Sequence, residues 1–339
     1  MSSVPQISVC LPTYNRSGPL ARIVHAFLGQ RFDDFEIVIS DDASTDDTQA
    51  VLKSFTDPRV RCFRQETNLG IMKNWDFSVR QARAPLVFRL DDDDYVAPSF
   101  LEKACDFYKR HPEVGSLYTS YGYTRTYDAH TDLVVRDRGL FNEREVVSSE
   151  EFLRAFLLHD PFPGIHPAAV VFRRAAAEAI GFYRPEFSDH VFTLALATQA
   201  PVGYLPELLF YYVQHDQARA SNTTRNGDVY YDPLNLAKSV YESGWDFFDQ
   251  DPTLSRIRDQ VYRRHLRVYS CVELYTVKRN FKSRRLVLSV AGRLLREHPS
   301  LAIHPGFFGA LAACLGPDGW TPALLEAYRN SRWLQKLAR

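Results

Sequence analysis

Four consecutive aspartates, Asp91 to Asp94, follow the apolar run Pro85-Leu-Val-Phe-Arg-Leu90. Crowded like charges raise carboxylate pKa values and cost stability unless a cation or another partner neutralises them. Hard divalent cations choose oxygen ligands, and Mg²⁺ or Mn²⁺ commonly bridges one or two carboxylates to a diphosphate. A second acidic cluster, Ser40-Asp-Asp-Ala-Ser-Thr-Asp46, ends the run Phe35-Glu-Ile-Val-Ile39. Its carboxylates can accept a hydrogen bond from a nucleobase imide N–H, and Tyr14 in Pro12-Thr-Tyr-Asn-Arg-Ser17 can offer a stacking face. The same residues have plainer uses. An aspartate run often forms a solvated turn, and Asp41, Asp42, Ser44 and Asp46 are good helix caps.

These acids need elements that bring them together. Ile7–Leu11, Phe35–Ser40, Val60–Phe63 and Leu86–Leu90 are short apolar runs, expected as buried strands. Between them lie helical stretches: Leu20–Leu28, a segment capped by Ser44 or Thr45 that runs to about Phe55 with Asp46 and Asp47 in its first turn, and one following Asn68-Leu-Gly70. Strands alternating with ten-residue helices imply βαβ units, hence an α/β, Rossmann-like architecture with a mostly parallel sheet. Ligands of such sheets bind at the C-terminal ends of the strands, where both acidic clusters and Tyr14 fall. The first loop has neither GxGxxG nor GxxxxGK[ST], which argues against a dinucleotide oxidoreductase or a P-loop NTPase.

Composition sets wider limits. The 339 residues suggest about two domains, 45% apolar content supports a real core, and a formal net charge of zero argues against a nucleic-acid binder. The five cysteines are scattered with no CxxC pair, so neither a zinc site nor a disulfide framework is expected, and a reducing cytosol fits. The start, Met-Ser-Ser-Val-Pro-Gln, has no basic n-region, and no run approaches a membrane span. A cytoplasmic location is therefore expected.

Pro12-Thr-Tyr-Asn15, Ser40-Asp-Asp-Ala-Ser-Thr-Asp46, Asn68-Leu-Gly70 and Leu90-Asp-Asp-Asp-Asp94 resemble, in order and spacing, the motifs of family 2 glycosyltransferases of the GT-A fold. The resemblance covers about residues 5 to 215. It implies an inverting, metal-dependent sugar transfer from a nucleotide-diphosphate sugar. Pro12, Tyr14, Asp41, Asp42, Asn68 and Gly70 would form the nucleotide site, with Tyr14 and Asp42 on the base. Asp91 or Asp92 would meet the ribose or a metal-bound water, and Asp93 would hold Mn²⁺ or Mg²⁺. An acid that accepts from a base N–H fits uracil or thymine, so UDP or dTDP is favoured, although guanine also has such a donor.

The resemblance also requires a general base in the second half. Phe182-Tyr-Arg-Pro-Glu-Phe-Ser-Asp-His-Val-Phe192 is similar to the family's acidic segment, which makes Asp189 the expected base. Asp189 would also serve as N-cap of a helix over Val191–Thr198. Ser188 stands where a second acid is usual, and Asp160 and Asp216 are rivals. Tyr211-Tyr-Val-Gln-His215 resembles the following strand, which makes His215 an expected metal ligand and places Arg219 near phosphate.

The catalytic domain is expected over 1–225, with a nucleotide half to about 115 and an acceptor half beyond. A helical extension over 226–339 follows. Val268, Cys271, Val272 and Tyr275, and likewise Val287, Val290, Ala291 and Leu294, have the spacing of amphipathic helices. Arg256 to Arg296 holds twelve Lys/Arg and two acids, a basic face for a membrane surface, an anionic or lipid-linked acceptor, or water. Trp320 and Trp333 would pack this lobe or a homo-oligomer contact. The acceptor is expected to be a sugar, a lipid-linked sugar or a small molecule. Two other functions fit the sequence less well. A sugar-phosphate nucleotidyltransferase would carry a glycine-rich first loop, which Pro12–Ser17 lacks. A non-catalytic metal- or nucleotide-binding module would need no Asp189.

Overall fold

The computed structural model describes residues 4–124, 134–136, 144–158, 166, 168–184, 189–213 and 283–315, with isolated positions between 252 and 274. The first three strands of the sheet's centre are β1 (Ile7–Thr13), β2 (Phe35–Asp41) and β4 (Leu86–Arg89), and every residue in them is buried. Continuous apolar runs of this kind belong to parallel strands covered on both faces. β1 lies between β2 and β4, parallel to both, with Thr13 beside Asp41 and Cys10 beside Arg89. β3 (Val60–Arg64) extends the sheet beyond β2. This register sets the ends of β1, β2 and β4 along one edge.

The second half departs from simple alternation. β9 (Val170–Arg173) inserts antiparallel between β4 and β6 (Ser116–Thr124). β6 then pairs in parallel with β10 (Val202–Val213), whose register shifts between Leu205 and Leu208 and again before Phe210. β5 (Tyr95–Val96), just past the aspartate run, pairs antiparallel with β10, so Tyr95 faces Tyr211. β7 (Val134–Arg136) and β8 (Val146–Val147) pair with β6 and β10 respectively. The described sheet is mixed, in the order β3-β2-β1-β4-β9-β6-β10-β5.

Seven described helices pack on it: α1 (Ser17–Leu28), α2 (Thr48–Ser54), α3 (Ile71–Arg80), α4 (Phe100–Arg110), α5 (Ser149–Leu158), α6 (Arg174–Ala179) and α7 (Asp189–Ala197). α1 buries Leu20, Ile23, Val24 and Phe27, the one-sided stripe its spacing demands. Phe27 meets Phe88 of β4, and Phe88 packs on Phe100 of α4 with ring centroids 4.5 Å apart. α2 starts later than expected. The Ser44 hydroxyl accepts the Asn15 N–H instead of capping, and Asp46 Oδ1 accepts the Thr48 N–H. The two acidic residues Asp46 and Asp47 therefore precede the helix.

The chain divides into two compact units, Met1–Asp228 with Ser243–Asp251, and Val229–Glu242 with Pro252–Arg339. In the second, α8 (Arg284–Glu297) is capped by Ser283 Oγ, which accepts the Leu286 N–H. A 3₁₀ turn (Pro299–Ile303) leads into α9 (Pro305–Leu315). Val287, Ala291 and Leu294 of α8 are buried with Leu274, Leu301, Phe307 and Cys314, while Arg284, Arg285, Arg293 and Arg296 are exposed. The stretch around Val268, Cys271, Val272 and Tyr275, and both Trp320 and Trp333, lie outside the described residues. No described helix is long and apolar enough to cross a membrane.

Candidate active site

The loops after β1 and β2 are laced together. Asn15, at φ 52°, donates its N–H to Ser44 Oγ at 2.8 Å and accepts the Thr45 N–H on Oδ1 at 2.7 Å. A short polar side chain is tolerated in this left-handed conformation better than most. Ser17 N–H adds a 3.2 Å bond to Asp46. Pro12 is buried on β1, whereas Tyr14 projects from the loop and is 46% exposed. That exposure leaves its ring face open to a planar ligand.

Asp41 and Asp42 are buried and already hydrogen-bonded. Asp41 Oδ1 accepts the Ser44 N–H at 3.0 Å, and Oδ2 accepts from Gln49 at 2.5 Å and Arg64 at 3.1 Å. Asp42 accepts the Leu69 N–H at 2.7 Å and the Gly70 N–H at 3.0 Å, one on each oxygen. Asn68 Oδ1 also accepts the Gly70 N–H, and its Nδ2 donates to the Asp42 carbonyl. Asp42 thus clamps the Asn68–Gly70 loop that opens α3. Each carboxylate oxygen keeps a second lone pair, so a base N–H can still add to this acid.

The aspartate run is pinned from four sides. Asp91 accepts from Arg89 Nη1 at 2.6 Å. Asp92 Oδ2 accepts the Thr13 hydroxyl at 2.5 Å. Asp93 is ion-paired with Arg16, whose Nη1 also lies 3.7 Å from Asp92. Asp94 Oδ1 accepts the Val213 N–H at 3.1 Å, and its buried Oδ2 has no hydrogen-bond partner. Burial pushes the Asp92 carboxyl up to about 8 against the opposing pull of Arg16. Burial likewise raises Asp91 and Asp94, and the Asp93 charge adds to both. Burial and crowding therefore make these acids costly to hold charged without a further cation.

An oxygen-only donor set, crowded acids and an orphaned buried oxygen suit a hard divalent cation. Among the described residues no group of three or more His, Cys, Asp or Glu side chains is placed to hold a metal ion. A cation here would take its remaining ligands from substrate phosphates and water, as Mg²⁺ usually does.

On the other side, Asp189 opens α7, where a negative charge is favoured by the helix dipole. Its charge raises Asp91 and Tyr183 and favours the charged form of Arg89, so it lies within electrostatic reach of the aspartate run. Phe192 of α7 stacks on Tyr183 with centroids 3.7 Å apart, which fixes the start of that helix. Ser188, Asp160, His215, Asp216 and Arg219 lie outside the described residues. Thr13, Arg16 and Arg89 are parts of the site that the sequence did not single out, and Asp94 was named there with the run but given no role of its own. Arg89 carried a visible signal, being a cation set inside an apolar strand run.

Residues 8–181 match the profile of glycosyl transferase family 2. Chondroitin synthase of Escherichia coli is 34% identical over 122 residues, covering 35% of this chain and 18% of that protein. The uncharacterized protein MT1568 of Mycobacterium tuberculosis is 28% identical over 221 residues, covering 60% of this chain and 66% of that one. The GalNAc(5)-diNAcBac-PP-undecaprenol beta-1,3-glucosyltransferase of Campylobacter jejuni is 37% identical over 94 residues, covering 27% of this chain and 30% of the relative. The chain thus spans less than two thirds of the length of these relatives. Among solved structures, S. aureus TarS 1-349 superposes with a TM-score of 0.64 at 18% identity, covering 96% of this chain and 91% of that one. Mannosyltransferase PcManGT from Pyrobaculum calidifontis, in complex with GDP-Man and Mn²⁺, gives 0.54 at 16% identity, covering 99% and 86%. Likeness at this identity establishes the fold.

Proposed function

Because the chain belongs to glycosyl transferase family 2 and is a glycosyltransferase of the GT-A fold, we propose that it transfers a sugar from a nucleoside-diphosphate sugar to an acceptor hydroxyl, with inversion at the anomeric carbon. The observation that carries this reading is the convergence on one sheet edge of an exposed aromatic ring, Tyr14, the buried acids Asp41, Asp42, Asp92 and Asp94, and the half-buried Asp91 and Asp93. Tyr14 stacks on the base and Asp42 accepts its N–H, while Asn68 and Gly70 shape the wall. Asp91 and Asp92 take the ribose side. Asp93, with His215, is the position for Mn²⁺ or Mg²⁺. When bound, such a cation offsets the negative charge that develops on the departing diphosphate.

Asp189 is the general base. The acceptor oxygen attacks C1 in line as the bond from C1 to the diphosphate oxygen breaks. The bonding pair leaves with the diphosphate, and the acceptor proton passes to the Asp189 carboxylate. A carboxylate at the first turn of α7, near but not within the aspartate run, separates the proton acceptor from the donor-binding acids.

The acid at the base position favours uracil or thymine. S. aureus TarS has been solved with UDP-GlcNAc and PcManGT with GDP-Man, which supports a nucleotide-sugar donor and keeps guanine among the bases to test. The acceptor is a sugar, a lipid-linked sugar or a small molecule, in polysaccharide, lipopolysaccharide or glycoconjugate assembly. The Campylobacter relative, named for an undecaprenol-linked glycan, supports the lipid-linked case. The C-terminal unit, with its basic Arg256–Arg296 stretch, serves the acceptor, the inner membrane face or self-association.

One screen tests the reading. UDP-, dTDP- and GDP-sugars are incubated with the protein and Mn²⁺, and released nucleoside diphosphate is measured. Release from at least one donor is the expected result. Pyrophosphate release from a nucleoside triphosphate and a sugar phosphate would instead identify a nucleotidyltransferase. Binding with neither reaction would identify a non-catalytic module.

A further inference from the structure

Arg89 is the one fully buried Lys or Arg among the described residues, with 1% of its surface exposed. It lies on β4 beside Cys10 of β1, two residues before Asp91. Removing a charge from water is costly unless the geometry of its surroundings compensates. The compensation here has two parts. One is the 2.6 Å ion pair from Nη1 to Asp91 Oδ1. The other is aromatic: the guanidinium carbon stands 3.8 Å from the centre of the Trp75 ring on α3 and 5.9 Å from that of Tyr183. A planar, weakly hydrated cation is stabilised by such ring faces, where the compact ammonium of lysine is served less well. Nε and Nη2 meet no carboxylate or carbonyl at hydrogen-bonding geometry, and the Tyr183 hydroxyl adds to holding the charge. Asp91 is therefore the single carboxylate this cation directly holds.

The aromatic surround continues toward the proposed base. Trp75 meets Tyr183 edge to face at 5.6 Å, and Tyr183 stacks on Phe192 of α7, the helix that Asp189 opens. Arg89 is thus wedged between the helix that follows the Asn68–Gly70 loop and the support of α7, and it grips the first acid of the run.

We propose that Arg89 is a positioning residue: a buried cation, held between Trp75 and Tyr183, that orients the Asp91 carboxylate for the donor and ties that acid to the support of the Asp189 helix. This inference rests on the donor-binding role of Asp91. It explains why an arginine is buried in a strand of the core. Without it, Asp91 would face Asp93 and Asp189 with Arg16 as a weaker counter-charge, and its carboxylate would lose the hydrogen bond that orients it.

A double-mutant cycle tests this, read by calorimetry with UDP, dTDP and GDP in the presence of Mn²⁺, using whichever binds most tightly to the wild type. Thermal melting checks each fold. Asp91→Asn and Arg89→Met should each weaken binding by about tenfold, the usual scale for loss of a partner that orients a ligand-binding side chain. The double variant should bind no more weakly than Asp91→Asn alone, because the effect of Arg89 passes through that carboxylate. Multiplied losses in the double variant, or wild-type binding in folded Arg89→Met, would overturn the proposal. If Arg89→Met does not fold, the cycle is run with Arg89→Lys. That variant keeps the charge and loses the planar stack. A coupled loss is expected, and an uncoupled or absent loss overturns the proposal equally. Asp91→Asn by itself separates the two layers. Wild-type binding in that variant removes the donor role of Asp91 and the present inference with it. Weak binding there beside normal binding in the Arg89 variants removes the positioning role alone.

Discussion

The guanidinium of Arg16 is ion-paired with the Asp93 carboxylate and stands 3.7 Å from Asp92. Burial disfavours its charge, but Asp92 and then Asp93 hold Arg16 in the charged form above its ordinary value. A side-chain cation thus covers the acid proposed to hold a divalent one. A divalent cation bound by Asp93 would compete with Arg16 for the same oxygen atoms, and Arg16 would have to yield to it.

Arg16→Gln removes that competitor. Mn²⁺ binding in the absence of nucleotide should tighten by about tenfold or more, given the strength of attraction between charges roughly 4 Å apart near a protein surface. Calorimetric titration of both proteins with Mn²⁺ measures it. Equal affinities would show that Arg16 and the metal do not share a place.

Asp93→Ala should abolish Mn²⁺-stimulated nucleotide binding. The fold should survive, because removing one of four crowded carboxylates relieves repulsion. Nucleotide titrations with and without Mn²⁺, next to a melting curve, decide the matter. Unchanged Mn²⁺ stimulation would move the metal to another acid of the run.

Asp189→Asn keeps the shape of the α7 start and removes the proton acceptor. Turnover should fall by about 10²-fold or more with donor affinity little changed. Steady-state kinetics with a saturating donor provide the test. Near-wild-type turnover would transfer the role to Asp160 or Asp216.

Gly70 adopts φ 82° and ψ 162° at the entrance to α3, a region essentially restricted to glycine. A Cβ there would meet nothing within 4 Å, so the cost of Gly70→Ala is purely one of backbone conformation. It should destabilise the protein by about 1–3 kcal/mol. Because Asp42 grips the Gly70 N–H, nucleotide affinity should fall as well. Denaturant unfolding and nucleotide titration report the two effects separately.

The first half of the molecule was legible residue by residue. Ile7–Thr13, Phe35–Asp41 and Leu86–Arg89 are strands because their predominantly apolar runs can be buried on both faces, and local sequence carries that information. The acids at their ends were legible too, since a parallel sheet puts strand ends on one edge. The start of α2 was not. Ser44 and Thr45 have the chemistry of caps, but Asn15, 29 and 30 residues away, takes the Ser44 hydroxyl and the Thr45 N–H. The second half defeats local reading for the same reason. β9 runs antiparallel between β4 and β6, and β5 pairs with β10, which no alternation of strand and helix announces.

Within the site, the sequence names the four aspartates and tertiary contacts divide their work. Asp94 is anchored by Val213, 119 residues further on, and Asp92 by Thr13, 79 residues before it. Asp93 meets Arg16 across 77 residues. Arg89 becomes a wedge through Trp75 and Tyr183, one from each side of it in the chain. Identical neighbours in a run cannot be told apart by type or spacing. Their roles differ because each oxygen meets a different partner, and those partners arrive only when distant strands pair.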